Sequence, residues 1–250
     1  MRLFVHELRT ELLLYSRSKE LAFFTFLLPI IFFVLLGSVY GGSDRIKGYR
    51  APDYLLTGML GYGVAATAFS GLAIVLVIRR ESGILKRLRG TPLPAPAYIA
   101  AVLTAFLTAF AVEVAALILL GRVLFGIPAP DRIGSLVLAL LLGAVAFCGL
   151  GIGVTALIKS AEGASAVVNA IYLPASFIAG AFFSPSHFPQ VLRAIADVLP
   201  LTYFLRLIRN VMLHDQAIWT QGTNVAVIAA WGALGVVVAL RYFRWEPSEG

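Results

Sequence analysis

The chain has 250 residues, 60% of them hydrophobic and 13% charged, where an ordinary soluble domain carries roughly 25% charged residues. That composition excludes a water-soluble globular protein, and a mean hydropathy of +0.90 excludes a disordered one, since disordered chains are poor in apolar residues. The net charge of +7 does not call for a nucleic-acid partner, because the 20 Lys and Arg residues sit mainly between long uncharged runs, where membrane orientation needs them. The expectation is one membrane domain over residues 1–250.

Residues 1–20 open the chain as an amphipathic helix. Phe4, Leu8, Leu12 and Tyr15 recur every three or four residues, while Arg2, Arg9, Arg17 and Glu20 fall on the opposite side of the wheel. This fits a helix lying in the membrane interface, or one packed on a soluble partner. The early charges Arg2, Glu7, Arg9 and Glu11 do not make the short basic leader of a cleaved signal peptide, so the first apolar run is expected to be retained.

Crossing the hydrocarbon core takes ~20 apolar residues, and six runs have that length: 21–40, 54–78, 97–120, 133–158, 163–183 and 222–240. Five lack any Asp, Glu, Lys or Arg; the third contains Glu113. Each must be helical, because lipid offers the backbone no hydrogen-bond partners. Six crossings place both termini on one side. The loops on that side hold 12 Lys and Arg against 8 in the others, which predicts a multi-pass protein of the cell membrane, of bacterial plasma-membrane type, with both termini cytoplasmic.

The loop 79–96 carries most of that charge. Within it Glu81 to Arg89 is expected to form a short helix, ended by Gly90 and turned into the next span by Thr91-Pro92, with Ile84, Leu85 and Leu88 together on one side. Two functions suit it: docking in a groove of a soluble partner, or orientation and lipid-headgroup contact alone.

Residues 184–221 are apolar but broken. Pro189 and Pro200 bracket ten residues, and Leu201 to Leu213 adds a second short helix; neither reaches across the bilayer. A re-entrant helix pair fits, as does a surface loop of amphipathic helices.

Material for catalysis is sparse. His6, His187 and His214 are scattered, and Cys148 is the only cysteine, so neither a metal site nor a disulfide framework is expected. Gly153 to Ser160 imitates a phosphate loop, but Ile158 stands where a glycine must precede Lys159. Any ATP and Mg would be bound by another chain. Glu113, the lone acid inside a span, costs at least ~2.5 kcal/mol if charged; it is either a polar point in a substrate path or proton relay, or a hydrogen bond between helices. Asn169 reads as helix-helix glue or as a path residue, and Tyr172, Phe177, Phe182 and Phe183 as packing or as an aromatic path for apolar molecules.

The run Arg79-Arg80-Glu81-Ser82-Gly83-Ile84-Leu85-Lys86-Arg87-Leu88-Arg89-Gly90-Thr91-Pro92 resembles the cytoplasmic coupling region of type-2 ABC exporter permeases. Leu173-Pro174, Ala179 to Phe183, Phe188-Pro189 and Leu199-Pro200-Leu201-Thr202, followed by Arg206 and Arg209, resemble that family's fifth span and extracellular re-entrant helices. Ile84 and Lys86 depart from the pattern, where Thr and Glu are usual. The resemblance implies an all-α membrane protein of six transmembrane helices with an N-terminal interfacial helix, a coupling helix and a re-entrant pair. It implies ATPase coupling through Glu81, Gly83, Leu85, Leu88, Arg89, Thr91 and Pro92, and an extracellular gate at Pro185, Phe188, Pro189 and Pro200. The partners implied are two ATP-binding subunits, which carry the ATP and Mg, and a second permease subunit, the same or different. The cargo expected is amphipathic or lipid-like, of drug or glycolipid type. The alternatives are a polysaccharide-exporting permease of the same family and a proton-coupled secondary exporter that uses Glu113 without ATP.

Overall fold

The computed structural model describes residues 2–19, 23–40, 44–91, 93–185, 188–243 and 245–246, with backbone only at Arg2, Phe24, Arg89 and Ala95. Helix α1 is Arg2–Arg17. A π-helical turn, Phe23–Leu27, leads into α2, Leu28–Tyr40. A two-stranded hairpin, β1 Arg45–Ile46 and β2 Tyr49–Arg50, pairs Arg45 with Arg50 and Ile46 with Tyr49. Its turn residues, Lys47 and Gly48, both have positive φ, 53° and 84°, the geometry that a two-residue hairpin turn demands.

The central element is α3, Ala51–Glu81. Its 31 residues give ~46 Å of helix, and nearly every side chain from Ala51 to Ala73 is buried. Apolar residues on all sides of a helix require neighbours on all sides. The stretch Ala65–Gly71 is π-helical, so the helix widens by one turn at its middle. Helix α4, Ile84–Arg89, follows. Then come α5, Ala95–Phe125; α6, Ile133–Val154, extended by a 3-10 turn Thr155–Leu157; and α7, Ala161–Ala179. Two short helices follow, α8, Gln190–Ala196, and α9, Pro200–Leu213. A 3-10 turn Ile218–Thr220 precedes the last helix, α10, Gly222–Tyr242.

Four of these are long and apolar enough to cross a membrane: Ala51–Glu81, Pro96–Phe125, Ile133–Leu157 and Gly222–Tyr242. The protein is a helical membrane protein. The first and fifth expected spans are present as helices but shorter: Thr25–Tyr40 is 16 residues, and residues 20–22 lie outside the described part. Helix α7 stops at Ala179, four residues before the expected end, because Gly180 takes φ +89° and turns the chain; only glycine enters that conformation readily. Phe182 and Phe183 therefore sit in the bend after the helix.

The bundle has two ends. The hairpin end gathers β1, β2, the C-terminus of α5 and the start of α10: Arg50 donates to the Phe125 carbonyl at 2.7 Å, and Asn210 in α9 to Gln221 at 2.9 Å. The α4 end gathers α1, the last turn of α3, the start of α5 and the C-terminus of α6. Helix α10 lies along α6, and glycines make that approach possible: a Cβ on Gly235 would meet Leu150 N at 2.5 Å, and one on Gly153 would meet Gly235 O at 2.8 Å. Close backbone approach replaces hydrophobic drive where lipid is the solvent. Helix α9 is drawn into the bundle against α3, α6 and α10, burying Leu201, Phe204, Leu205, Leu207, Ile208 and Val211.

Candidate functional site in the bundle and at the α4 end

Glu113 is fully buried where α5 meets the π-helical stretch of α3. Its Oε2 accepts the Thr67 hydroxyl at 2.9 Å, and its Oε1 has no partner among the described residues. The room for the carboxylate comes from Gly63, where a Cβ would stand 2.2 Å from Oε1. A buried carboxyl oxygen without a partner is costly, and π-helical turns concentrate at functional positions. The acid is readable in the sequence; the widened turn and the glycine that receive it are not.

The other expected path residues fall into two neighbouring groups. Tyr172 and Asn169 line a cavity of about 370 Å³ with Thr25, Ala66, Ser70 and Ser165; Glu113 is not on its wall. Tyr172 also meets the Tyr62 hydroxyl at 3.3 Å, and from Tyr62 a ring chain runs through Phe182 (5.3 Å) to Phe177 (4.6 Å) and Phe183 (6.4 Å from Phe177). Phe182 is buried, while Phe177 and Phe183 are partly open. The four aromatics are thus one contiguous cluster at the hairpin half of α3 and α7, and Glu113 is a separate point between α3 and α5.

At the α4 end, two adjacent arginines tie four elements together. Arg79 donates to both carboxylate oxygens of Glu11 in α1, at 2.6 and 2.8 Å, and to the Tyr98 hydroxyl of α5 at 2.7 Å. Arg80, almost fully buried, donates to the carbonyls of Thr155 at 3.0 Å and of Ile158, and to Glu81 at 2.7 Å. Those carbonyls close the C-terminus of α6, where unpaired C=O groups attract cations. In the sequence both arginines appear as topology charges and as the leading residues of the coupling-region run, and no local signal pairs Arg79 with a residue 68 positions earlier.

Directly after this latch the chain turns at Ser82-Gly83, with Gly83 at φ +73°, and α4 begins at Ile84. The continuous helix expected from Glu81 is therefore broken: Glu81 ends α3 and faces Arg80. Leu85 is fully buried and Leu88 half-buried, so they fasten α4 to the bundle, while Ile84, Lys86 and Arg87 are exposed. Leu85, expected among the coupling residues, is turned into the bundle rather than presented outward with Ile84, because the six-residue helix can bury one side only. Thr91 donates to the Leu88 carbonyl at 2.7 Å and closes the helix. Pro92 and the Arg89 side chain lie outside the described residues.

The expected gate residues punctuate the opposite end. Pro185 abuts Gly180, the Phe188 N–H donates to the Pro185 carbonyl at 3.1 Å, Pro189 caps α8 and Pro200 opens α9. His187 lies outside the described residues. No group of three or more His, Cys, Asp or Glu able to hold a metal occurs among the described residues.

The ABC-2 type transporter family matches residues 2–213, which includes both ends of this arrangement. The chain belongs to that family. It is similar to the daunorubicin resistance ABC transporter permease protein DrrB1 of Streptomyces coeruleorubidus, 24% identical over 224 residues that cover 87% of this chain and 77% of the relative. As an ABC-2 permease it is a transport component rather than an enzyme.

Proposed function

We propose that this chain is the membrane subunit of an ATP-driven exporter of amphipathic compounds, worked by a separate ATP-binding subunit that docks on α4. The observation that carries the reading is the α4 end. A short helix there presents Ile84, Lys86 and Arg87 outward, while Leu85 and the Arg79–Arg80 latch join it to α1, α3, α5 and α6. A push on α4 is passed to those helices rather than absorbed by a loop. Two ATP-binding subunits, supplying the ATP and Mg, and a second permease copy complete the transporter. Six crossings, with α2 and α7 as the short ones and both termini cytoplasmic, put α4 on the nucleotide side and α8–α9 as a re-entrant pair at the outer gate. The relative's name and the aromatic cluster from Tyr172 to Phe183 favour drug-like cargo over glycolipid.

Ile84→Asp tests this: it leaves the fold intact and abolishes ATP-dependent export of a daunorubicin-like substrate from cells that also hold the ATPase. Unchanged export in that variant rejects the docking role. The second reading, a proton-coupled exporter, rests on the buried, half-satisfied Glu113. It requires transport by this chain alone that stops on dissipating the proton gradient and in Glu113→Gln.

A further inference from the structure

At the hairpin end, the hairpin turn and the consecutive short helices α8 and α9 bring four cations to one cavity of about 220 Å³: Lys47 from the turn, Arg193 from α8, and Arg206 and Arg209 from α9. Asp197 is the single carboxylate there, and it is taken by Arg206 at 2.5 Å. Arg209 is held by the Gly180 carbonyl at 2.6 Å and lies 4.0 Å over the Tyr54 ring. Neither Lys47 nor Arg193 makes an ion pair among the described residues. Burial and the charges of Arg209 and Arg206 push the Lys47 ammonium below the usual lysine range, the sign of a cation brought to other cations without compensation.

An independent observation points the same way. Thr202 lines this cavity, is 4% exposed, and its hydroxyl has no hydrogen-bond partner among the described residues. It sits in the first turn of the 14-residue α9, where the helix dipole also favours an anion. Thr202, Arg206 and Arg209 follow at four- and three-residue spacing and so share one face of α9.

We infer that this cavity is a binding site for a phosphate-class anion, either the phosphodiester headgroup of an anionic lipid or free phosphate, held by Lys47, Arg193, Arg206 and the Thr202 hydroxyl. The bound anion fastens the hairpin, α8 and α9 to one another. The site stands apart from Glu113 and from α4, and its occupancy is read without transport.

The test uses the full chain in neutral detergent, delipidated, with phosphatidylglycerol, phosphatidylcholine and inorganic phosphate as probes, ionic strength being held with chloride. Phosphatidylglycerol or phosphate raises Tm by several degrees at saturation, while phosphatidylcholine does not. A response to phosphatidylglycerol alone identifies the lipid headgroup, and an equal response to phosphate identifies the free anion. The double variant Lys47→Asn/Arg193→Gln, in which Asn tolerates positive φ, weakens the binding at least tenfold. Without a probe it is at least as stable as the natural chain, because repulsion has been removed. Thr202→Val serves as a second variant with the cations intact and weakens binding severalfold. The inference is overturned if neither phosphate-bearing probe shifts the natural chain, or if the double variant binds them unchanged. It is equally overturned if the double variant loses only self-association, which would assign the cations to a protein carboxylate.

Discussion

Replacing Glu11 by Leu removes one half of the latch at the α4 end. The Glu11 side chain is 4% exposed and that of Arg79 13%, so the pair is shielded from water. With Glu11 gone, the Arg79 guanidinium loses two charge-assisted hydrogen bonds and keeps, among the described residues, the Tyr98 hydroxyl alone. Removing one partner of such a buried pair costs ~3–5 kcal/mol, chiefly because the remaining charge is left uncompensated. The double variant Glu11→Leu/Arg79→Met removes both charges and recovers most of that loss. The assay is reversible unfolding of the detergent-solubilised chain by SDS, run as a double-mutant cycle on the two residues. The expected coupling is at least ~2 kcal/mol. A single-variant cost below ~1 kcal/mol, the range of exposed pairs, would refute the claim that this pair docks α1 onto the bundle.

Three other outcomes follow from the same geometry. Gly63→Ala drives a methyl into Oε1 of Glu113 and should cost ~1–3 kcal/mol, less than additively with Glu113→Ala in the same unfolding assay. Gly235→Ala sets a Cβ against the Leu150 and Gly149 backbone and should cost a similar ~1–3 kcal/mol, whereas Gly134→Ala, with nothing within 4 Å, should be neutral or stabilising; equal effects at the two sites would argue against close α6–α10 contact. Leu85→Asp, which buries a carboxylate, should lower the yield of folded protein, and Ile84→Asp should leave it unchanged, as size-exclusion profiles will show.

The sequence made the long helices legible because a charge-free run of some twenty residues admits no other structure in lipid. The ends of those helices were less so. The second span was expected over 54–78 and occupies Ala51–Glu81, since Arg79 and Arg80 are polar in composition yet buried by partners outside the run. Helix α4 was expected from Glu81, but Gly83 separates it; the glycine was visible and its conformation was not. Glu113 stood out as a lone acid, while Thr67, Gly63 and the π-helical turn that surround it depend on how α3 meets α5. The pairing of Glu11 with Arg79, and the convergence of Lys47, Arg193, Arg206 and Arg209, join residues far apart in the chain. No periodicity records such contacts.

The central claim is that an ATPase acting on α4 drives export through this chain. The direct measurement is uptake of a daunorubicin-like compound into inside-out vesicles containing the chain and its co-purifying ATP-binding subunit. The expected uptake needs ATP, survives dissipation of the proton gradient and is lost in Ile84→Asp. Uptake that proceeds without ATP, collapses with the proton gradient and is lost in Glu113→Gln would contradict it.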